Sequence, residues 1–150
     1  MIPRRIHQIW YQDNTDIILN STDSIQNYQR IFKSKIPFSL KYNALSLISK
    51  NANYNYYIWN KTKIYYFIKL FYPEYLNLYL NFKFMIQKID FAKYLILYHY
   101  GGFYIDLDVV SIKKLDTFFE IFKESGIYFS KISKLNCLEN FIIKKFYNYQ

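Results

Sequence analysis

The sequence predicts an α/β domain in which helices flank a mostly parallel sheet. Three observations carry that expectation. Short apolar, β-prone runs alternate with segments whose apolar residues recur every three or four positions, the pattern of strands joined by crossover helices. The longest helical pattern, Phe84 to Tyr100, stops at Gly101-Gly102 and gives way to an alternating stretch, Phe103 to Asp108. Hydrophobic residues make up 52% and aromatic residues 23% of the 150 positions, which suits one packed core and excludes disorder. No linker, repeat or low-complexity tract divides the chain, so a single domain over 1–150 is expected.

In chain order, Ile2 to Trp10 reads as the first strand and Asp13 to Asp16 as a polar loop. Asp23 can cap a helix through Ile25, Tyr28, Ile31 and Phe32, which Lys35-Ile36-Pro37 breaks. Leu40 to Lys50 places Leu40, Ala44, Leu47 and Ile48 on one helical face. Asn51-Ala52-Asn53 is a turn, and Tyr54 to Trp59 is aromatic and β-prone. Asn60 can cap a helix over Lys61 to Phe71, and Pro73 can open the next one. Beyond Asp108 the pattern gives a helix near Leu115 to Glu124, a strand from Gly126 to Ile132 and an apolar run from Leu138 to Tyr147.

Composition limits the function classes. The net charge of +9 accompanies abundant Lys, Asn, Ile, Tyr and Phe, as the codons of an AT-rich genome would produce. Basic residues are dispersed, with pairs such as Lys113-Lys114 and no run of five, so no nucleic-acid partner is expected. The charge would still steer anionic small molecules and phospholipid surfaces. Cys137 is the single cysteine, which excludes an internal disulfide and suits a reducing compartment. No leader or membrane span is expected, and the location expected is cytoplasmic, in a host cell if the chain is viral. Three glycines are too few for a dinucleotide-binding fingerprint, and no Cys/His spacing suggests zinc.

Chemistry concentrates in Gly101-Gly102-Phe103-Tyr104-Ile105-Asp106-Leu107-Asp108. Alternation puts Phe103, Ile105 and Leu107 on one face, with Tyr104, Asp106 and Asp108 on the other. Two carboxylates within roughly 7 Å repel unless a cation or donor network lies between them, so the pair can seat a divalent ion carrying a diphosphate. Alone the pair is a weak signal, because Asp-x-Asp occurs by chance and often just solvates a loop. Asp90, with Lys93 and Tyr94 three and four residues on, shares one surface of the long helix. That is either an ordinary ion pair or a seat for a sugar hydroxyl and a phosphate oxygen. Trp10, at the end of the first strand, either stacks on a ligand ring or fills the core. His7 and His99 read as structural histidines.

Four segments resemble one family in order. Ile2-Pro3-Arg4-Arg5-Ile6-His7-Gln8-Ile9-Trp10 is similar to the opening strand of the DXD-containing sugar-transferase region of glycosyltransferase family 32. Tyr54 to Trp59 resembles its second strand, and Asp90 to Asp108 closely resembles its core signature; Asn140-Phe141-Ile142 loosely resembles a later strand. That family includes fungal Golgi mannosyltransferases and is related to the large clostridial glucosylating toxins. The resemblance implies a GT-A fold, a Rossmann-like sheet binding a nucleotide sugar with Mn²⁺ or Mg²⁺, apparently shortened here at the C-terminus. It implies a metal-dependent, retaining hexosyltransferase acting from a UDP- or GDP-linked donor on a glycan, lipid or protein acceptor, while the lack of any window of eighteen uninterrupted apolar residues makes the chain read as soluble.

By position, the resemblance makes Asp106 and Asp108 the catalytic, metal-binding pair. Asp108 would ligate directly, while Asp106 would act through water and touch the ribose. Trp10 would stack on the base, Asp90 and Lys93 would hold the donor sugar, and Tyr104 would line the nucleotide site. Lys93 stands where the family usually has arginine, which loses a planar two-pronged donor. A non-catalytic nucleotide-sugar binder is the alternative reading, and a basic, aromatic RNA-binding module is a third.

Overall fold

The computed structural model describes residues 2–13, 29, 31–32 and 34–121. Its elements are β1 (Arg5–Ile9), α1 (Phe38–Lys50), β2 (Asn55–Trp59), α2 (Lys61–Phe71), a 3₁₀ turn (Pro73–Tyr75), α3 (Leu76–Asn81), α4 (Met85–Tyr100), β3 (Phe103–Tyr104) and α5 (Asp116–Ile121). The sheet runs β2-β1-β3 and is parallel throughout. Arg5 pairs with Asn55 and Ile9 with Trp59 on one side of β1, and Ile6 pairs with Phe103 on the other. The expected α/β architecture is therefore present.

Alternation along the strands divides the core in two. On one face Ile6, Tyr56, Ile58, Phe103 and Ile105 pack with Ala44, Leu47 and Ile48 of α1. On the other, Ile9, Trp59 and Tyr104 pack with Ile64, Phe67 and Ile68 of α2 and Ala92, Ile96 and Leu97 of α4. Each large side chain removed from water stabilises the fold by about 1.5–3 kcal/mol, so a slip of one residue in β1 would turn both faces inside out.

The helix boundaries follow local chemistry. Asn60 caps α2 by accepting from the Lys63 amide at 2.8 Å, and α1 begins directly after Pro37. The Phe84 amide donates to Oε1 of Gln87 at 3.1 Å, closing the first turn of α4. At its other end Gly101 and Gly102 have φ of 63° and 93°, values that favour glycine. A Cβ on Gly102 would lie 2.5 Å from the Arg5 carbonyl oxygen, so only glycine lets the chain pass this close to β1.

Two expectations need adjustment. The first strand is shorter than 2–10, and the strand expected to continue to Asp108 ends at Tyr104. Ile105 still donates to the His7 carbonyl at 3.1 Å, but the Val109 amide then returns to the Asp106 carbonyl at 3.2 Å. Asp at the first position of a four-residue turn is a strong turn former, and here it overrides the two-residue alternation. The side chains still divide as expected: Phe103, Ile105 and Leu107 are buried, whereas Asp106 and Asp108 are exposed. Of the helix expected after Asp23, Gln29, Ile31 and Phe32 are described and are helical, and the rest lies outside the described residues. The expected strand at 126–132, the run at 138–147 and the segment Asn140-Phe141-Ile142 lie outside the described residues.

Candidate functional site

In open parallel sheets ligands bind beyond the carboxyl ends of the strands. Trp10 follows β1, Asn60 follows β2, and the Asp106–Val109 turn follows β3. The turn is held by its backbone. Gln8 of β1 donates from Nε2 to the Asp106 carbonyl at 3.2 Å, and Asn43 of α1 donates from Nδ2 to the Leu107 carbonyl at 3.1 Å. Gln8 in turn accepts at Oε1 from the Tyr56 hydroxyl, a group buried in the α1-side core. The carbonyls of the acidic turn are thus fixed while both carboxylates point outward.

Tyr104 connects this turn to α4. Its hydroxyl donates to Oδ1 of Asp106 at 2.9 Å, and Nζ of Lys93 lies 5.7 Å from its ring centre. Lys93 is largely buried and pairs with Oδ1 of Asp90 at 2.6 Å. The Tyr104 hydroxyl is pushed far above the usual phenol range, first by burial and then by Asp106, with further contributions from the charges of Asp90 and Asp108. Asp90, Lys93, Tyr104, Asp106 and Asp108 therefore form one electrostatic neighbourhood. The Asp90–Lys93 pair is no isolated surface ion pair, because its lysine reaches the ring that holds Asp106.

Trp10 lies apart from these contacts. Its ring is half-buried against the α1-side core, on the same side of the sheet as Gln8, while Tyr104 lies on the opposite side. Its Nε1–H is buried and has no hydrogen-bond partner among the described residues. A buried indole donor left unsatisfied costs roughly 1–3 kcal/mol.

Further residues hold the entry to the turn. Arg5 donates from Nη1 to the Tyr100 carbonyl at 2.7 Å. His7 accepts from the Trp59 indole at Nδ1, at 3.2 Å, so its Nε2 carries the proton and donates to the Gly101 carbonyl at 3.0 Å. Burial lowers the His7 pKa to about 4, with the Gly101 bond opposing that shift and Arg5 adding slightly to it. His7 is thus a neutral clamp on the α4–β3 junction, as the structural reading of this residue expects. His99 is exposed on α4, with Nδ1 3.2 Å from the Tyr72 hydroxyl.

Sequence reasoning passed over Gln8, Tyr56 and Asn43. The available signal was Gln8 itself: an amide in the middle of an apolar strand must find a buried partner. Among the described residues no group of three or more His, Cys, Asp or Glu side chains could hold a metal, and no helix is long and apolar enough to cross a membrane.

Known proteins resemble this chain over half or more of its length. The profile of the glycosyltransferase sugar-binding region containing the DXD motif matches residues 37–128, which include Asp90, Lys93 and the acidic turn. An uncharacterized glycosyltransferase, L373, of Acanthamoeba polyphaga mimivirus is 34% identical over 143 residues, covering 95% of this chain and 48% of that protein. The mannosyl phosphorylinositol ceramide synthase SUR1 of Saccharomyces cerevisiae is 40% identical over 81 residues, 54% of this chain and 21% of the relative. Inositol phosphoceramide mannosyltransferase 1 of Schizosaccharomyces pombe is 30% identical over 115 residues, 77% of this chain and 30% of the relative. The chain thus spans about half the length of the viral relative and less of the fungal ones. No solved structure matches it at a significant level. With the Asp-x-Asp turn, α4 and the strands β2 and β3 inside the matched segment, the chain belongs to the family of glycosyltransferase sugar-binding regions containing the DXD motif.

Proposed function

We propose that this chain binds a nucleotide sugar beyond the carboxyl ends of its sheet and, with Mn²⁺ or Mg²⁺, transfers the hexose to an acceptor with retention of configuration. The observation that carries the reading is the linked set Asp90–Lys93–Tyr104–Asp106 beside the exposed Asp108. Two exposed carboxylates suit a hard divalent ion that keeps other positions for diphosphate oxygens and water. Asp108 is assigned the direct contact, and Asp106 a contact through water and with the ribose. When bound, the ion would offset the charge that grows on the departing diphosphate.

The remaining roles belong to the chain. Tyr104 fixes one oxygen of Asp106, which leaves the other facing the donor. Asp90 accepts from a sugar hydroxyl, Lys93 donates to a sugar or phosphate oxygen, and Trp10 lies against the base with its indole N–H available to an acceptor. The bond from the anomeric carbon to the diphosphate breaks with its electron pair on the diphosphate; the acceptor hydroxyl oxygen forms the new bond and its proton passes to the departing diphosphate. Because relatives carry names that include inositol phosphoceramide, a lipid hydroxyl next to a phosphate is the first acceptor to offer.

The test is calorimetry of UDP-glucose, UDP-galactose, UDP-N-acetylglucosamine and GDP-mannose binding, with and without Mn²⁺, on the chain and on Asp108→Ala. At least one donor is expected to bind only with Mn²⁺, and the substitution should abolish that binding. Equal affinity in the variant refutes the site. Donor binding without hydrolysis or transfer supports the second reading, a non-catalytic nucleotide-sugar binder, which Lys93 in place of arginine favours.

A further inference from the structure

A second concave feature lies away from the acidic cluster. Between the end of β1, the start of α2 and the start of α4 opens a cavity of about 580 Å³, lined by Tyr11, Asp13, Lys61, Lys83, Met85 and Lys88. Three ammonium groups face one carboxylate there. Asp13 engages Lys61 at 3.2 Å, while Lys88 reaches across the Tyr79 ring to the Leu80 carbonyl at 3.0 Å. The cavity therefore keeps a net charge of about two positive units on an open wall, a setting that concentrates phosphate-bearing anions.

The segments that carry Lys83, Met85 and Lys88 also expose large apolar side chains. Phe84, Met85 and Ile86 follow one another at 56%, 59% and 60% exposure, and Leu78 and Leu80 of α3 are exposed to 50% and 49%. Met85 belongs to both features, since it lines the cavity and stands in the exposed triplet. Large apolar side chains grouped in this way mark an interaction surface. Lysines beside them select the partner: apolar residues flanked by cations match a bilayer whose acyl layer lies beneath anionic headgroups.

We propose that the α3–α4 corner docks on an anionic phospholipid membrane. Phe84, Met85 and Ile86 enter the boundary between headgroups and acyl chains, and Lys83, Lys88 and Lys61 gather lipid phosphates in the adjoining cavity. The docking residues are separate from the acidic cluster, so the inference stands apart from the transferase reading and can fail independently of it.

The test is flotation of the full chain with vesicles of phosphatidylcholine alone and of phosphatidylcholine mixed with phosphatidylinositol. Binding is expected to the mixed vesicles, at least tenfold stronger than to the neutral ones, and to weaken as salt is raised. Lys83→Gln with Lys88→Gln should weaken it about thirtyfold, from the usual contribution of a lysine at such a surface. Serine at Phe84, Met85 and Ile86 together should weaken it at least tenfold while keeping the salt dependence. Thermal melting and Mn²⁺-dependent nucleotide binding, measured alongside, should stay at the parent values in both variants. Should the triple variant not melt cooperatively, Ile86→Asp replaces it, with the same loss expected. Equal binding to neutral vesicles, no vesicle binding, or binding that the variants retain overturns the proposal. So does a melting shift produced by inorganic phosphate in a protein that ignores vesicles, because that describes a soluble-anion site.

Discussion

Replacing Gln8 by leucine separates the mounting of the acidic turn from its charge. The parent side chain is fully buried, accepts from the Tyr56 hydroxyl and donates to the Asp106 carbonyl. In Gln8→Leu the Tyr56 hydroxyl keeps its burial and loses its acceptor, at a cost of about 1–3 kcal/mol. The Asp106 carbonyl keeps the Val109 amide, so the second lost bond adds only about 0.5–1.5 kcal/mol. The single variant should therefore lose about 2–4 kcal/mol of stability. Tyr56→Phe alone strands the Gln8 oxygen and should lose about 1–2 kcal/mol. The double variant strands neither group, so its loss should fall about 2 kcal/mol short of the two singles combined. Urea titration of the four proteins measures the cycle, and Mn²⁺-dependent nucleotide binding is read on the same samples. Donor affinity is expected to fall in both Gln8 variants and to remain near parental in Tyr56→Phe. Strict additivity of the stabilities, or unchanged donor binding in Gln8→Leu, refutes the proposed mounting.

Three further outcomes follow from other contacts. His7 is held neutral with its pKa lowered to about 4, so between the ordinary value near 6.5 and that value the unfolded chain binds the extra proton. Stability should be complete above that window and decline by about 3 kcal/mol as pH falls through it, and urea midpoints for His7→Gln at pH 7.5 and 4.5 should show a smaller decline; identical declines would remove the assignment. Gly102→Ala places a methyl against the Arg5 carbonyl at φ 93° and should cost at least about 3 kcal/mol in thermal melting, whereas a parental midpoint would show that the chain can pass β1 another way. Lys93→Ala removes a charge-assisted donor beside the proposed sugar seat and should weaken donor binding about tenfold to a hundredfold, with Lys93→Arg at or above parental affinity; calorimetry that ranks all three equally would return Asp90–Lys93 to a structural ion pair.

The sequence made the helices legible where their signals were local. Asn60, Pro73 and Gly101-Gly102 each act within one turn of chain, and the observed boundaries lie where those residues put them. Alternation also sorted Phe103, Ile105 and Leu107 from Asp106 and Asp108, even though the stretch bends into a turn. That bend was hidden because turn chemistry and strand periodicity make opposite demands on the same four residues. The association of Asp90 with Lys93 was readable from helical spacing, but its connection through Tyr104 to Asp106 depends on β3 lying beside α4, which no local pattern encodes. Gln8, Tyr56 and Asn43 escaped for the same reason, since their partners are 48 or more positions away.

That separation shapes how the molecule comes together. Arg5 meets Tyr100, His7 meets Gly101 and Gln8 meets Asp106 across gaps of 95, 94 and 98 positions. Closing the first such loop costs about 4 kcal/mol from its length alone, while the next two close within a loop already shut and add almost nothing to that cost. The three ties should thus form nearly together and late, which gives β1 a slow, all-or-none marriage with the far end of α4. A growing chain that has not yet released Asp106 from the ribosome can possess every helix before it and still lack the acidic turn on which the proposed donor site depends.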